Sequence, residues 1–253
     1  MTSKKIKYVF LTFVFIITGC KDFSPVQPLL NDYSVTAFIT NDTTSQSIGV
    51  YRTASLNGSF SQDYFYDKAE IVISGKSDYF PFTYTEDEYG NKDYLNSRPN
   101  FKPGEKYNLN LKTETVTITG ETTLPGDFEI TSYKEGQEII ADKTVELNLN
   151  WSRSNNAFVY ILNFKFPMYS SWFNDYYYAN FSNKTYDTIF HFSDSNALLG
   201  LDTTHYSIIS VTAIDKNFYR HYFEEYNSVG IDRGYGYFGS GTVKTIKLKI
   251  KIR

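Results

Sequence analysis

The chain has little of what active sites and metal centres are usually built from. Among 253 residues there is one cysteine, Cys20, and there are three histidines, His191, His205 and His221. The histidines fall on separate predicted elements. None has the His-x-x-x-His or His-Glu-x-x-His spacing that turns two imidazoles toward one metal. No Gly-x-Ser-x-Gly elbow accompanies the many serines, so no nucleophile and base can be paired, and a non-enzymatic protein without a cofactor is expected. Positive charge is also short: 25 Lys plus Arg stand against 28 Asp plus Glu, a formal charge of -3. Neutralising phosphates takes a net basic face, which sets DNA and RNA aside as partners. The helix formers Ala, Leu and Met are scarce.

Aromatic residues are abundant instead, with 23 Tyr and 21 Phe. These side chains suit pleated, half-buried surfaces, so the expected fold is all-β. A mature chain of about 230 residues can bury a sizeable core, more easily as two domains of about 100 residues than as one.

A single long apolar run stands near the start. Lys4, Lys5 and Lys7 lead into Tyr8 to Ile17, broken only by Thr12, and Ile17-Thr18-Gly19-Cys20 closes it. The run is about half of the ~20 residues that span a bilayer and has the length of a signal peptide's central region. It resembles a bacterial lipoprotein signal peptide. That resemblance implies removal of residues 1–19, a diacylglyceryl group on the Cys20 thiol, and attachment to the outer membrane through that lipid. The mature charge is then about -6, because three lysines leave with the leader. No thiol would remain for a disulfide, a metal or catalysis. Residues 20–32, with Pro25 and Pro28 and no periodicity, read as a lipidated tether. Lys21 and Asp22 either resemble the surface-export signal of Bacteroidetes lipoproteins or belong to a solvated linker, so the periplasmic and extracellular faces both stay open.

Residues 33–124 read as a first β-sandwich. Val35, Ala37 and Ile39 alternate with Ser34, Thr36 and Phe38 up to the turn signal Asn41-Asp42. Ile48 and Val50 mark a second strand closed by Asn57-Gly58, and Ala69, Ile71 and Ile73 a third. A fourth spans Tyr79 to Thr85, where Pro81 calls for an edge or a bulge. Glu86 to Asp93 forms a charged hairpin or loop around Gly90-Asn91, whose carboxylates are either solvated or offer oxygen ligands to calcium. Pro103-Gly104 then turns into the alternation Tyr107, Leu109 and Leu111, followed by Val116 and Ile118. A Pro-Gly turn into a strand opened by Tyr resembles small immunoglobulin-like and transthyretin-like sandwiches.

Residues 125–253 read as a second sandwich. Val145, Leu147, Leu149 and Trp151 alternate cleanly, as do Phe158, Tyr160, Leu162 and Phe164. With Tyr206 to Ala213 they resemble strands of a fibronectin type III domain. Between them Pro167 to Lys184 fits neither period and is expected to be a long loop or a loop with one helical turn. Asn217 to Tyr226 is expected to be a short helix. At the end Lys247, Lys249, Lys251 and Arg253 alternate with Ile246, Leu248, Ile250 and Ile252. They are read as a guard on an exposed terminal edge in preference to a phosphate or acidic-lipid surface.

Taken in order, the lipobox, the Ala-Glu-Ile-Val-Ile strand, Pro103 to Tyr107, Leu124-Pro125-Gly126, Trp151 and Gly234-Tyr235-Gly236-Tyr237-Phe238-Gly239 resemble an uncharacterised family of Bacteroidetes outer-membrane lipoproteins. Its members are often encoded beside TonB-dependent receptors, which implies an accessory or binding role for such a transporter. The glycine run precedes a strand, not a helix, so it reads as a glycine-aromatic turn or bulge and not as a phosphate loop. The candidate contact residues are Trp172, Tyr176, Tyr177 and Tyr178 in the insert, with Tyr235 and Tyr237 in the glycine run. Their rings either stack on a glycan or fill a partner's pockets, or else pack over an open end of the sandwich. His221 with Glu224 and Glu225 is read as part of a solvated helix.

Overall fold

The computed structural model describes residues 33–53, 64–142, 144–170, 172, 175–194 and 200–253. The leader, Cys20, the tether and the Asn57-Gly58 turn lie outside the described residues. The first half carries β1 Tyr33–Thr40, β2 Gln46–Arg52, β3 Glu70–Ser74, β4 Tyr79–Glu86, β5 Lys92–Asn96, β6 Lys106–Lys112 and β7 Thr117–Thr123. The second carries β8 Glu138–Ala141, β9 Val145–Asn150, β10 Val159–Ser170, β11 Asp175–Thr185, β12 Ile189–Asp194 and β13 Ser207–Ile214. Helix α1, Lys216–Phe223, follows, and β14 Ser228–Val229, β15 Ile231–Asp232 and β16 Tyr235–Ile252 complete the fold. Among the described residues the protein is all-β apart from α1. Among the described residues no helix is long and apolar enough to cross a membrane, which says nothing of crossing by strands.

Two apolar cores organise these strands. In the first, alternation decides which side chains turn inward: Tyr33, Val35, Ala37 and Ile39 of β1 are buried between half-exposed neighbours. Tyr107, Leu109 and Leu111 of β6 are likewise buried between exposed Lys and Asn. The sheet passes through β1, β2, β5, β4, β3, β6 and β7, and β4 links its two walls. Residues 79–82 of β4 pair with β3, and residues 83–86 pair with β5. Pro81 stands in the half that β5 does not reach, where a missing N–H breaks no second ladder. The expected hairpin at Glu86 to Asp93 forms, with Gly90 at φ 81.

The Pro-Gly turn is held by Tyr107. Gly104 adopts φ 82, and the Tyr107 hydroxyl accepts the Lys102 N–H at 2.6 Å. The ring meets Phe101 edge to face at 5.0 Å. Burial raises the Tyr107 pKa to about 12.

In the second core β9 and β12 form one wall, and β11, β10, β13 and β16 form the other. Val145, Leu147 and Leu149 face Leu162, Phe164 and Phe166, all fully buried. Trp151 is buried as well and meets Tyr160 edge to face at 5.4 Å.

Strand β16 belongs to both sandwiches. Its first part, Tyr235 to Gly241, runs parallel to β1, and Phe238 is buried in the first core. Its second part pairs with β13 and β8 and buries Ile246, Leu248 and Ile250 in the second. Three expectations change as a result. Residues 235–241, placed in the second domain by sequence, complete the first. The glycine run is extended strand and not a turn. Lys247 lies where β16 pairs with β13, so it guards no edge there.

The glycines are explained by close approach. Gly236 has φ 93, and a Cβ there would stand 2.1 Å from the Val35 carbonyl oxygen. A Cβ on Gly239 would lie 2.8 Å from the Phe218 Cβ, because α1 rests directly on that part of the strand.

A polar joint sits beside α1. Asp215 caps the helix by accepting the Phe218 N–H at 2.9 Å. Its other oxygen accepts the Thr122 hydroxyl at 2.6 Å, and Thr122 lies 2.8 Å from Ser240 Oγ. Burial pushes the Asp215 pKa up, and the Thr122 hydrogen bond opposes that rise.

Candidate functional site

The aromatic insert is a β-hairpin, not a loop. β10 runs on to Ser170, the chain turns through Trp172, and β11 returns in register from Ser170↔Asp175 to Tyr160↔Thr185. Directly opposed residues share a face. Phe164, Phe166 and Met168 therefore pair with Phe181, Ala179 and Tyr177 on the core side. Lys165, Pro167 and Tyr169 pair with Asn180, Tyr178 and Tyr176 on the outer side. Aromatic residues occupy both faces, so the contrast between apolar and polar positions that reveals a strand is absent from the sequence here.

The register separates the four predicted residues of the insert. Tyr176 and Tyr178 share the outer face, edge to face at 5.8 Å. Tyr177 has the parity of the core side but lies toward the tip, where it is 54% exposed. Trp172 stands at the turn, 93% exposed.

A loop holds the outer tyrosines in place. The Tyr169 N–H donates to the Gly200 carbonyl at 2.7 Å, and the Asp202 N–H donates to the Pro167 carbonyl at 2.8 Å. His205 from this loop stacks on Tyr176, with centroids 3.8 Å apart and planes 23° apart. Asp202 lies 2.7 Å from His205 Nδ1, and its other oxygen accepts the Thr204 N–H at 2.8 Å and the Thr204 hydroxyl at 2.5 Å. Those Thr204 bonds first, and His205 after them, hold the Asp202 pKa down to about 2. The Tyr178 hydroxyl donates to the Tyr206 carbonyl at 3.3 Å, and burial raises its pKa.

Sequence reasoning named neither His205 nor Asp202 as part of this site. The available signal was Asp202-Thr203-Thr204, an Asx-turn pattern in which the carboxylate accepts the N–H two residues on.

The glycine-run candidates lie elsewhere. Tyr235 is 37% exposed, whereas Tyr237 is buried. Tyr237 stacks with His221 at 4.6 Å and meets Tyr222 through its hydroxyl at 3.3 Å, so it offers no open ring face. Tyr235 and Leu248, the last β16 residue paired with β13, are about 43 Å apart along the strand at ~3.3 Å per residue. The two stretches proposed from sequence as one contact surface are therefore not brought together.

The remaining candidates are engaged locally. His221 Nδ1 lies 2.9 Å from the Tyr226 carbonyl, and Glu224 lies 3.8 Å from Arg220. Asp87 accepts the side-chain and backbone N–H groups of Asn91 and the backbone N–H of Tyr89. These bonds, the Asn91 side chain first, lower its pKa. Both Asp87 oxygens thus serve to close the hairpin. Among the described residues no three His, Cys, Asp or Glu side chains converge as a metal would require.

No family model matches the chain, and no curated protein matches it. Among solved structures, the crystal structure of calcium binding domain CBD12 of CALX1.1 aligns over 87% of this chain and 99% of that one. The identity is 9% and the TM-score 0.22, too low to transfer a ligand or a role.

Proposed function

We propose that the protein is a non-enzymatic, lipid-anchored component of the outer membrane that presents the β10–β11 hairpin to a partner, as an accessory or binding module of a transporter such as a TonB-dependent receptor. The observation that carries this reading is Trp172, 93% exposed at the hairpin turn. Burial of such a ring in a partner's pocket is what the centre of a protein contact typically supplies. Within the described residues, β1 opens beside Tyr235, where Ser34 pairs with it, away from the part of β16 that pairs with β13. The fibronectin type III likeness of the second sandwich belongs to the same reading and rests on Trp151 and Tyr160. Gentle crosslinking of outer membranes should capture a transporter with the wild-type protein and not with Trp172→Ala. Recovery of the wild-type protein without a transporter would overturn the proposal.

A second reading, carbohydrate binding, is favoured by a separate observation. Tyr176 and Tyr178 are held on the outer face by His205 and Tyr206 and not in the core, which fixes ring orientation before any ligand arrives. Absence of glycan binding by the wild-type protein would remove it, and glycan binding that survives both Trp172→Ala and Tyr176→Ala would take it away from these rings.

A further inference from the structure

Lys247, which lost its role as an edge guard, acquires a setting from the register together with Lys165. On the outer face of the β11-β10-β13-β16 sheet, Asn180, Lys165, Ile208 and Lys247 form one cross-strand row. The adjacent row is Ser182, Asn163, Ser210 and Thr245, in which Ser210 Oγ and Thr245 Oγ1 lie 3.0 Å apart. One step toward the tip come Tyr178 with Pro167, then Tyr176 with Tyr169. At the other end Lys184 lies over the Phe223 ring at 4.1 Å, so α1 closes the face there.

Tyrosine rings thus lead into rows of amides and hydroxyls that carry cations. Among the described residues, no carboxylate forms an ion pair with Lys165 or Lys247. The nearby acids are engaged otherwise. Glu135 accepts the Lys247 backbone N–H, Glu138 pairs with Lys251, and Asp202 is held by Thr204 and His205. In a chain of formal charge -3, a face with unpaired lysines beside exposed rings is complementary to an anion with apolar flat surfaces. Lys165 and Lys247 stand on strands two positions apart, about 10 Å from each other, a span that fits a polymer better than a single small ion.

We propose that this face binds an acidic polysaccharide, with sugar rings stacked on Tyr176 and Tyr178 and carboxylate or sulfate groups set against Lys165 and Lys247. The inference rests on the carbohydrate reading above and names its ligand class. A bilayer is the poorer occupant, because the Asn, Ser and Thr rows would lose water without gaining hydrogen bonds from hydrocarbon.

The test uses the full chain purified in detergent and four probes: polygalacturonate for carboxylate, chondroitin sulfate for sulfate, dextran as the neutral polymer, and phosphatidylglycerol vesicles. The expected result is binding to at least one acidic polymer and not to dextran or vesicles. It should weaken as salt is raised and fall about tenfold in Lys165→Gln/Lys247→Gln. Both lysines are exposed, so an unchanged thermal transition should show that this variant folds. Which acidic polymer binds tells carboxylate from sulfate recognition. Dextran bound as well as the acidic polymers, without dependence on the lysines, would overturn the acidic assignment and leave sugar stacking standing. Binding to no polysaccharide would overturn both, and binding to vesicles alone would reassign the face to lipid.

Discussion

At Tyr107 one hydroxyl fixes a turn, and the cost of losing it is predictable. Tyr107→Phe keeps the buried ring but leaves the Lys102 N–H without its acceptor, which should lower stability by about 1 kcal/mol in a urea titration. Because the folded pKa is raised to about 12, the wild-type hydroxyl favours folding below the usual tyrosine pKa, and that contribution is lost as pH rises through 12. Asp202 has the opposite sign. Its pKa is depressed to about 2, so its contribution is present above the usual aspartate value of about 3.9 and disappears as pH falls toward 2. Asp202→Asn should therefore melt below wild type near neutrality, with the difference closing between about pH 4 and pH 2. A constant difference across that range would show that the loop does not depend on the carboxylate's charge.

At the scale of elements, the hairpin and β16 were the hardest to read. β1, β6 and β9 were legible because Val, Leu or Ile alternates with Ser, Thr, Asn or Lys, so one residue type marks each face. In β11 both faces carry rings, and in β5 only Tyr94 is buried, so neither strand leaves a period. The start of β16 was misread because Gly236 and Gly239 look like turn residues, whereas their reason is tertiary: Val35 and α1 occupy the space a Cβ would need. Gly236→Ala should cost about 2 kcal/mol or more, from the positive φ and the clash together. The denaturation midpoint checks it. Trp172→Ala should instead leave stability within about 0.5 kcal/mol of wild type, since the ring is almost fully exposed. Loss of binding without loss of stability would separate a contact residue from a structural one. The outer-face site was half legible: Tyr176 and Tyr178 were named from sequence, while His205, Asp202 and the Lys165 to Lys247 row required the register.

For the whole molecule, a shared strand implies shared stability. β16 contributes Phe238 to one core and Leu248 to the other, so unfolding either sandwich strips a wall from its neighbour. Leu109→Ala in the first core and Leu162→Ala in the second should each cost about 2–5 kcal/mol. Both should move the same cooperative transition, seen as coincident changes in tyrosine fluorescence and circular dichroism. Two separated transitions would show that the sandwiches fold independently.

The pairing of β1 with β16 also sets an order in time. Asn41 and Val243 hold each other through two hydrogen bonds although 202 residues separate them in sequence. A chain emerging from its N-terminal side cannot close the first sandwich until almost all that follows has appeared. The delay from such distant contacts leaves β1 with an open edge until the strand that closes it has been made.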